Sequence, residues 1–313
     1  MAATSRLCWV FLVYLGLGCA DPEPSGPAAF APVGDAPPVV RTTTYPLAWM
    51  AERIGGGAIQ VELVVPADAD PATWRPDDAA LQALQGADLV VLNGAGFEAL
   101  GAWASLPPSR LVDTAAGFRH RWLQNEHALQ HSHGPNGHAH TGLAGHTWMD
   151  PVNARAQAEA LRAGLVRRFP ALAGPTEAGL AGLRVDLDAL HRRLTTLFEA
   201  HPRLTIASAH PAYAYLARRY ELGLVSLHLD PEGQPAPPLL ADACTALRRA
   251  KASILLWETP PRPAVAATWE ARCGVRSVVF SPLEHTPEAG DYLTLMNANV
   301  DRLEAALNLP ALP

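Results

Sequence analysis

Imidazole nitrogens and a carboxylate at four places in the chain have the chemistry to hold a divalent metal. His146 lies in GHTWMDP, directly before a helix start at Pro151-Val152-Asn153. His210 ends the run RLTIASAH, His228 falls near the end of ELGLVSLHLD, and Glu258 ends ASILLWE. Zinc takes nitrogen, sulfur or oxygen donors, usually four in a tetrahedron. Any one of these residues alone reads as an ordinary surface or core side chain; four at strand ends or helix starts read as a set. Histidine-rich, carboxylate-poor sites suit zinc, whereas manganese prefers more oxygen, so Zn2+ is expected ahead of Mn2+.

Half of the 12 histidines are packed into one stretch, EHALQHSHGPNGHAHTGLAGHTWMDP. His127, His131, His133, His138 and His140 sit among glycine, proline, asparagine and serine, with no spacing that a helix or strand would hold rigid. They read as a weak auxiliary collector of metal, separate from His146. A metal-bound histidine donates its other ring N–H to an acceptor, for which Asp150 and Asp230 are the candidates.

The elements that must position these residues alternate. Strand-like runs at 39–46, 59–66, 87–94 and 110–113 are separated by helical stretches, and a second series follows at 203–210, 221–230, 252–258 and 275–282. Valine- and leucine-rich strands alternating with helices predict an α/β fold of two lobes, each a mostly parallel sheet with flanking helices. Ligands in such sheets bind beyond the carboxyl ends of the strands, which is where His210, His228, Glu258 and Ser281 fall. Between the two series, 153–169 predicts one helix and 175–200 a long, rigid backbone helix. In the latter, leucines 180, 183, 187, 190, 194 and 197 recur in a seven-residue rhythm. A coiled-coil seam is one reading; packing of a long helix against its own chain is the one preferred.

The boundaries that follow are a signal peptide over 1–19, a Pro-rich tether over 20–38 and an N-terminal lobe over 39–150 containing a His-rich loop at 120–145. A helical connection covers 151–200 and a C-terminal lobe 201–313. Arg6 followed by an apolar run from Leu7 to Leu17 has the character of an export signal. The sequence Leu15-Gly16-Leu17-Gly18-Cys19 resembles a bacterial lipoprotein cleavage box, with Gly16 where a larger aliphatic is usual, so Cys19 is the candidate for lipid attachment. Ordinary cleavage near Ala20 is the alternative. Export would leave Cys244 and Cys273 as a disulfide or as two buried thiols. A formal net charge of −6 and no basic stripe argue against nucleic acid as a partner.

Together the motifs are similar to those of the substrate-binding components of bacterial ABC importers for zinc and manganese. TTTYPLAWMAERIGG, ADLVVLNGAGFE, HTWMDPVNA, SAHPAYAYLARRY and GDYLTLMNANVDRLEAAL carry the resemblance, which spans about 39–312; a histidine-rich loop before the second ligand is typical of the zinc branch. The resemblance implies extracytoplasmic capture of Zn2+ in a cleft between two lobes and delivery to an ABC permease with its ATPase. It also implies a monomer, a membrane held through a lipid anchor, and no enzymatic turnover. A metal-scavenging or adhesin-like lipoprotein without transport is the alternative, and a zinc hydrolase using Glu258 as base a more distant one, since no HExxH is present. Two family ligand positions differ: Ala72 stands where the first histidine is expected, and Ser281 where an Asp-Pro-Leu aspartate is. Either metal binding is lost, with Arg75 filling the gap, or the site is rebuilt with His228 and Glu258. The rebuilt site is the expectation.

Overall fold

The computed structural model describes residues 36–98, 105–124, 142–310 and 312. His127, His131, His133, His138, His140 and Cys19 lie outside them, as do the signal segment and most of the tether. The first sheet contains β1 (Val39–Thr42), β2 (Gln60–Leu63), β3 (Leu89–Leu92) and β4 (Leu111–Asp113), in the order β2-β1-β3-β4. The second contains β5 (Thr205–Ser208), β6 (Gly223–Ser226), β7 (Ile254–Trp257) and β8 (Arg276–Val279), in the order β6-β5-β7-β8. Every neighbouring pair is parallel. Parallel neighbours cannot be joined by a tight hairpin, so the chain crosses over between them. Helices α1 (Tyr45–Gly55) and α2 (Asp78–Gly86) serve the first sheet; α5 (Ala214–Arg219), α6 (Pro237–Ala250) and α7 (Pro263–Cys273) serve the second. The interior strand β7, ILLW, is buried along its whole length, while the edge strands β2 and β6 are not. The strands are shorter than the apolar runs suggest, so His210, His228 and Glu258 fall in the loops just past them.

Three further helices, α3 (Pro151–Arg168), α4 (Pro175–Glu199) and α8 (Tyr292–Leu307), complete the fold. The first begins two residues before its apolar pattern, because the Asp150 side chain accepts from Val152 N at 2.9 Å and Pro151 needs no partner in the first turn. Helix α4 buries all six leucines of its heptad row against its own chain, so no seam is left for a second copy. It packs on α1, α3 and α8. One apolar cluster therefore contains Val40, Met50, Leu161, Leu187, Leu194, Ile206, Leu256 and Val300. Burial of each such side chain contributes about 1.5–3 kcal/mol, so the shared core resists large relative motion of the lobes. A disulfide joins Cys244 of α6 to Cys273 of α7, with Cα atoms 4.7 Å apart. No described helix is long and apolar enough to cross a membrane.

Candidate metal centre

His146 precedes a short 3-10 turn at Thr147–Met149 and is only 6% exposed. Its place is set by Asn93, at the end of β3, which grips the chain on both sides of it. The Asn93 amide donates to Gly145 O at 2.8 Å, and its carbonyl accepts from Thr147 Oγ1 at 2.7 Å and from Gln157 Nε2 at 2.8 Å. Phe97 stands edge-on to both His146 and Trp148, with centroids 5.3 and 5.1 Å away. A Cβ on Gly145 would lie 2.7 Å from the Phe97 ring, so glycine is what lets the two segments meet.

The second lobe reaches the same segment through the loop after β8. Trp148 Nε1 donates to Pro282 O at 2.7 Å, and Tyr292 OH to Trp148 O at 3.1 Å. Leu283 turns the chain with a left-handed φ of 61°, uncommon for a side chain of its size. The next residue, Glu284, sets its Oε1 against His146 Nε2. Its backbone oxygen accepts from Tyr45 N at 2.9 Å, at the start of α1. Asp150, four residues past His146, is 3% exposed and takes a two-pronged guanidinium from Arg219 of α5, with contacts of 2.8, 2.8 and 2.6 Å. That pairing raises the Arg219 pKa further.

His210 follows β5. Its ring centroid is 6.3 Å from that of His146 and 6.5 Å from that of His228. Its Nδ1 lies 3.0 Å from Glu258 Oε1. Burial alone would lower the His210 pKa. The hydrogen bond and charge of Glu258, aided by the charges of Glu284 and Asp70, outweigh burial and raise it. Between His146 and His210 lies a cavity of about 20 Å³ that Ala72 also lines.

The four residues singled out from sequence form a chain of neighbours, His146 to His210 to His228 by their rings and His210 to Glu258 by a hydrogen bond. Among the described residues, no three histidine, cysteine, aspartate or glutamate side chains stand close enough to grip an ion as they are. Glu258 is engaged on the Nδ1 edge of His210, the edge away from Nε2. The acceptor for a histidine ring is thus Glu258, while Asp150 serves Arg219 and Asp230 caps the backbone of Glu232 at 2.8 Å. Arg75 is exposed and does not line the cavity. Ser281 helps build its own loop, its N–H donating to Asn299 Oδ1 at 3.0 Å and its Oγ accepting from Leu283 N at 3.3 Å. Glu284 was not anticipated. The rule that sites lie past strand ends applies to it, but Ser281 is the first polar residue met there, and the carboxylate lies three residues further on.

The comparisons with known proteins agree with this architecture. The family model described as zinc-uptake complex component A, periplasmic, matches residues 40–306. Zinc-binding lipoprotein AdcA of Streptococcus pneumoniae is 26% identical over 280 residues, covering 84% of this chain and 54% of that protein. The chain thus spans about half the length of the streptococcal relatives it matches. High-affinity zinc uptake system protein ZnuA of Bacillus subtilis is 28% identical over 285 residues, covering 86% of this chain and 87% of that protein. The solved Zn(II)-bound ZnuA-like domain of S. pneumoniae AdcA is similar with a TM-score of 0.73 at 21% identity, covering 87% of this chain and 100% of that one, a likeness of fold. With the match running from the first strand into the last helix, the chain belongs to the ZnuA family, the periplasmic component A of zinc-uptake complexes.

Proposed function

We propose that the protein captures Zn2+ outside the cytoplasm and delivers it to an ABC permease powered by its ATPase. The observation that carries this reading is His146 Nε2 meeting Glu284 across the lobes, with His210 on the other side of a small cavity. These three would be the ligands, with zinc seated between His146 Nε2, the Glu284 carboxylate and His210. Two imidazoles on one tetrahedral zinc place their centroids about 5 Å apart. The observed 6.3 Å therefore calls for a closing of about 1 Å, within reach of the His210 loop. In this reading Glu258 orients His210 through Nδ1, leaving Nε2 for the metal, and is a positioning residue instead of a ligand. His228 stays outside the set. The histidine tract would collect metal nearby, and Cys19 would carry a lipid anchor. The protein would act as a monomer by binding and release, without chemical turnover.

The test is a zinc competition titration of the chain with residues 125–141 deleted. Apparent binding energies of about 10–16 kcal/mol over four donors give roughly 3 kcal/mol per ligand, or about 10²-fold in affinity. His146→Ala, His210→Ala and Glu284→Ala should each show that loss, and His228→Ala only a few-fold change. Equal affinities across all four variants would overturn the reading.

A further inference from the structure

A second cleft, of about 590 Å³, opens where the lobes meet, at the residues that open α3. The first lobe contributes Arg121, which closes the 3-10 turns after β4 (Ala116–Arg121). The second contributes Arg218 and Arg219 of α5. Arg219 is taken up by Asp150, whose carboxylate it meets at 2.8 and 2.6 Å. Among the described residues Arg218 makes no hydrogen bond or ion pair, and Arg121 reaches only the neutral Asn153 Oδ1, at a long 3.5 Å. Two guanidiniums therefore stand against one exposed carboxylate in the lining, Glu221, and His120 lines the cleft as well. The start of α3 favours negative charge there too, because its first amides point outward along the helix dipole. Guanidinium forks match carboxylate and phosphate groups in two-pronged pairs. Trp122, Leu123 and Tyr215 add apolar wall, which favours a carbon skeleton between the charges, and the volume suits a molecule of several carbons.

We propose that this cleft is a binding site for a small organic polycarboxylate, gripped by Arg121 from the first lobe and Arg218 from the second. The ligand ties the lobes together at the junction that Asp150 and Arg219 already clamp. The site uses none of the proposed metal ligands and does not depend on zinc being the cargo, so it is tested without metal.

The test is calorimetric titration of citrate into the intact chain stripped of metal, at low salt. Saturable binding with a Kd of about 1 mM or below is expected, weakening as salt rises because exposed charges are screened. Arg121→Gln and Arg218→Gln should each weaken citrate by about 10-fold or more, the loss of one charge-assisted pair. Glu221→Gln removes the opposing carboxylate and should tighten citrate a few-fold, a gain that can be read even if an arginine variant folds poorly. Inorganic phosphate, with no carbon skeleton to bury, should bind at least about 10-fold more weakly than citrate. Equal affinity for phosphate would overturn the assignment to an organic ligand. No saturable citrate binding, or binding that all three variants leave unchanged, overturns the site itself.

Discussion

The two histidines of the candidate metal centre are held in different ways. The His146 side chain is 8% exposed and is fixed from both lobes, by Asn93 and Phe97 on one side and by Glu284 on the other. The next turn is clamped as well, through Trp148 to Pro282 and Asp150 to Arg219. The His210 side chain is 35% exposed, in a loop past a strand end. One half is thus preorganised before metal arrives and the other can adjust. The difference assigns the small closing movement to the His210 loop, since moving His146 would break contacts across the whole lobe interface.

The contrast breaks most readily at Arg219. Arg219→Ala leaves the buried Asp150 carboxylate without its counter-charge and should cost about 3 kcal/mol of stability, measured by denaturant unfolding. A loss under about 1 kcal/mol would mean that the clamp does not hold His146. The disulfide lies on the adjustable side, within the second lobe. Opening it releases a 29-residue separation and should cost about 2–4 kcal/mol, read as a lower midpoint for a Cys244→Ala/Cys273→Ala double variant. Zinc affinity should change little, because the His146 clamp is untouched; a collapse of affinity would place the rigid half elsewhere.

A finer distinction comes from Glu258. Glu258→Ala should weaken zinc by about 10–100-fold, with Glu258→Gln recovering part of the loss by still accepting from Nδ1. The pH dependence sharpens it. In the metal-free protein the raised His210 pKa means that its pairing stabilises the fold fully below the ordinary histidine pKa of about 6.5, and the contribution is lost as pH rises through the raised value. Zinc behaves in the opposite sense, since a ligating imidazole must be unprotonated, so affinity falls as pH drops through the same window. Metal-free stability and zinc affinity should therefore show opposite slopes there, and Glu258→Ala should narrow the window. Parallel slopes would refute the role given to Glu258.

The lobes, their parallel strands and the long helix were legible in the sequence because apolar runs and the leucine rhythm report burial directly. His146 and His210 were legible as candidates because they stand at element boundaries in recognisable motifs. The remainder of the site depends on which edge of a ring a neighbour meets. Glu258 and Glu284 are both carboxylates past strand ends, and only the fold shows one at Nδ1 of His210 and the other at Nε2 of His146. The Asp150–Arg219 pair joins residues 69 apart, a separation no local pattern encodes.

The apolar cluster running through α4 has a consequence for how the chain can be cut or recombined. Two sheets suggest two interchangeable modules, and the second lobe has a separate cluster of its own around Trp257 and Trp269, yet the largest cluster is shared by both lobes. A break between α3 and α4 would leave the heptad leucines on one fragment and the surfaces of α1 and α3 that cover them on the other. The halves would be expected to stay insoluble or half-formed apart and to regain structure only on mixing, so lobes exchanged between relatives would have to bring their own backbone helix.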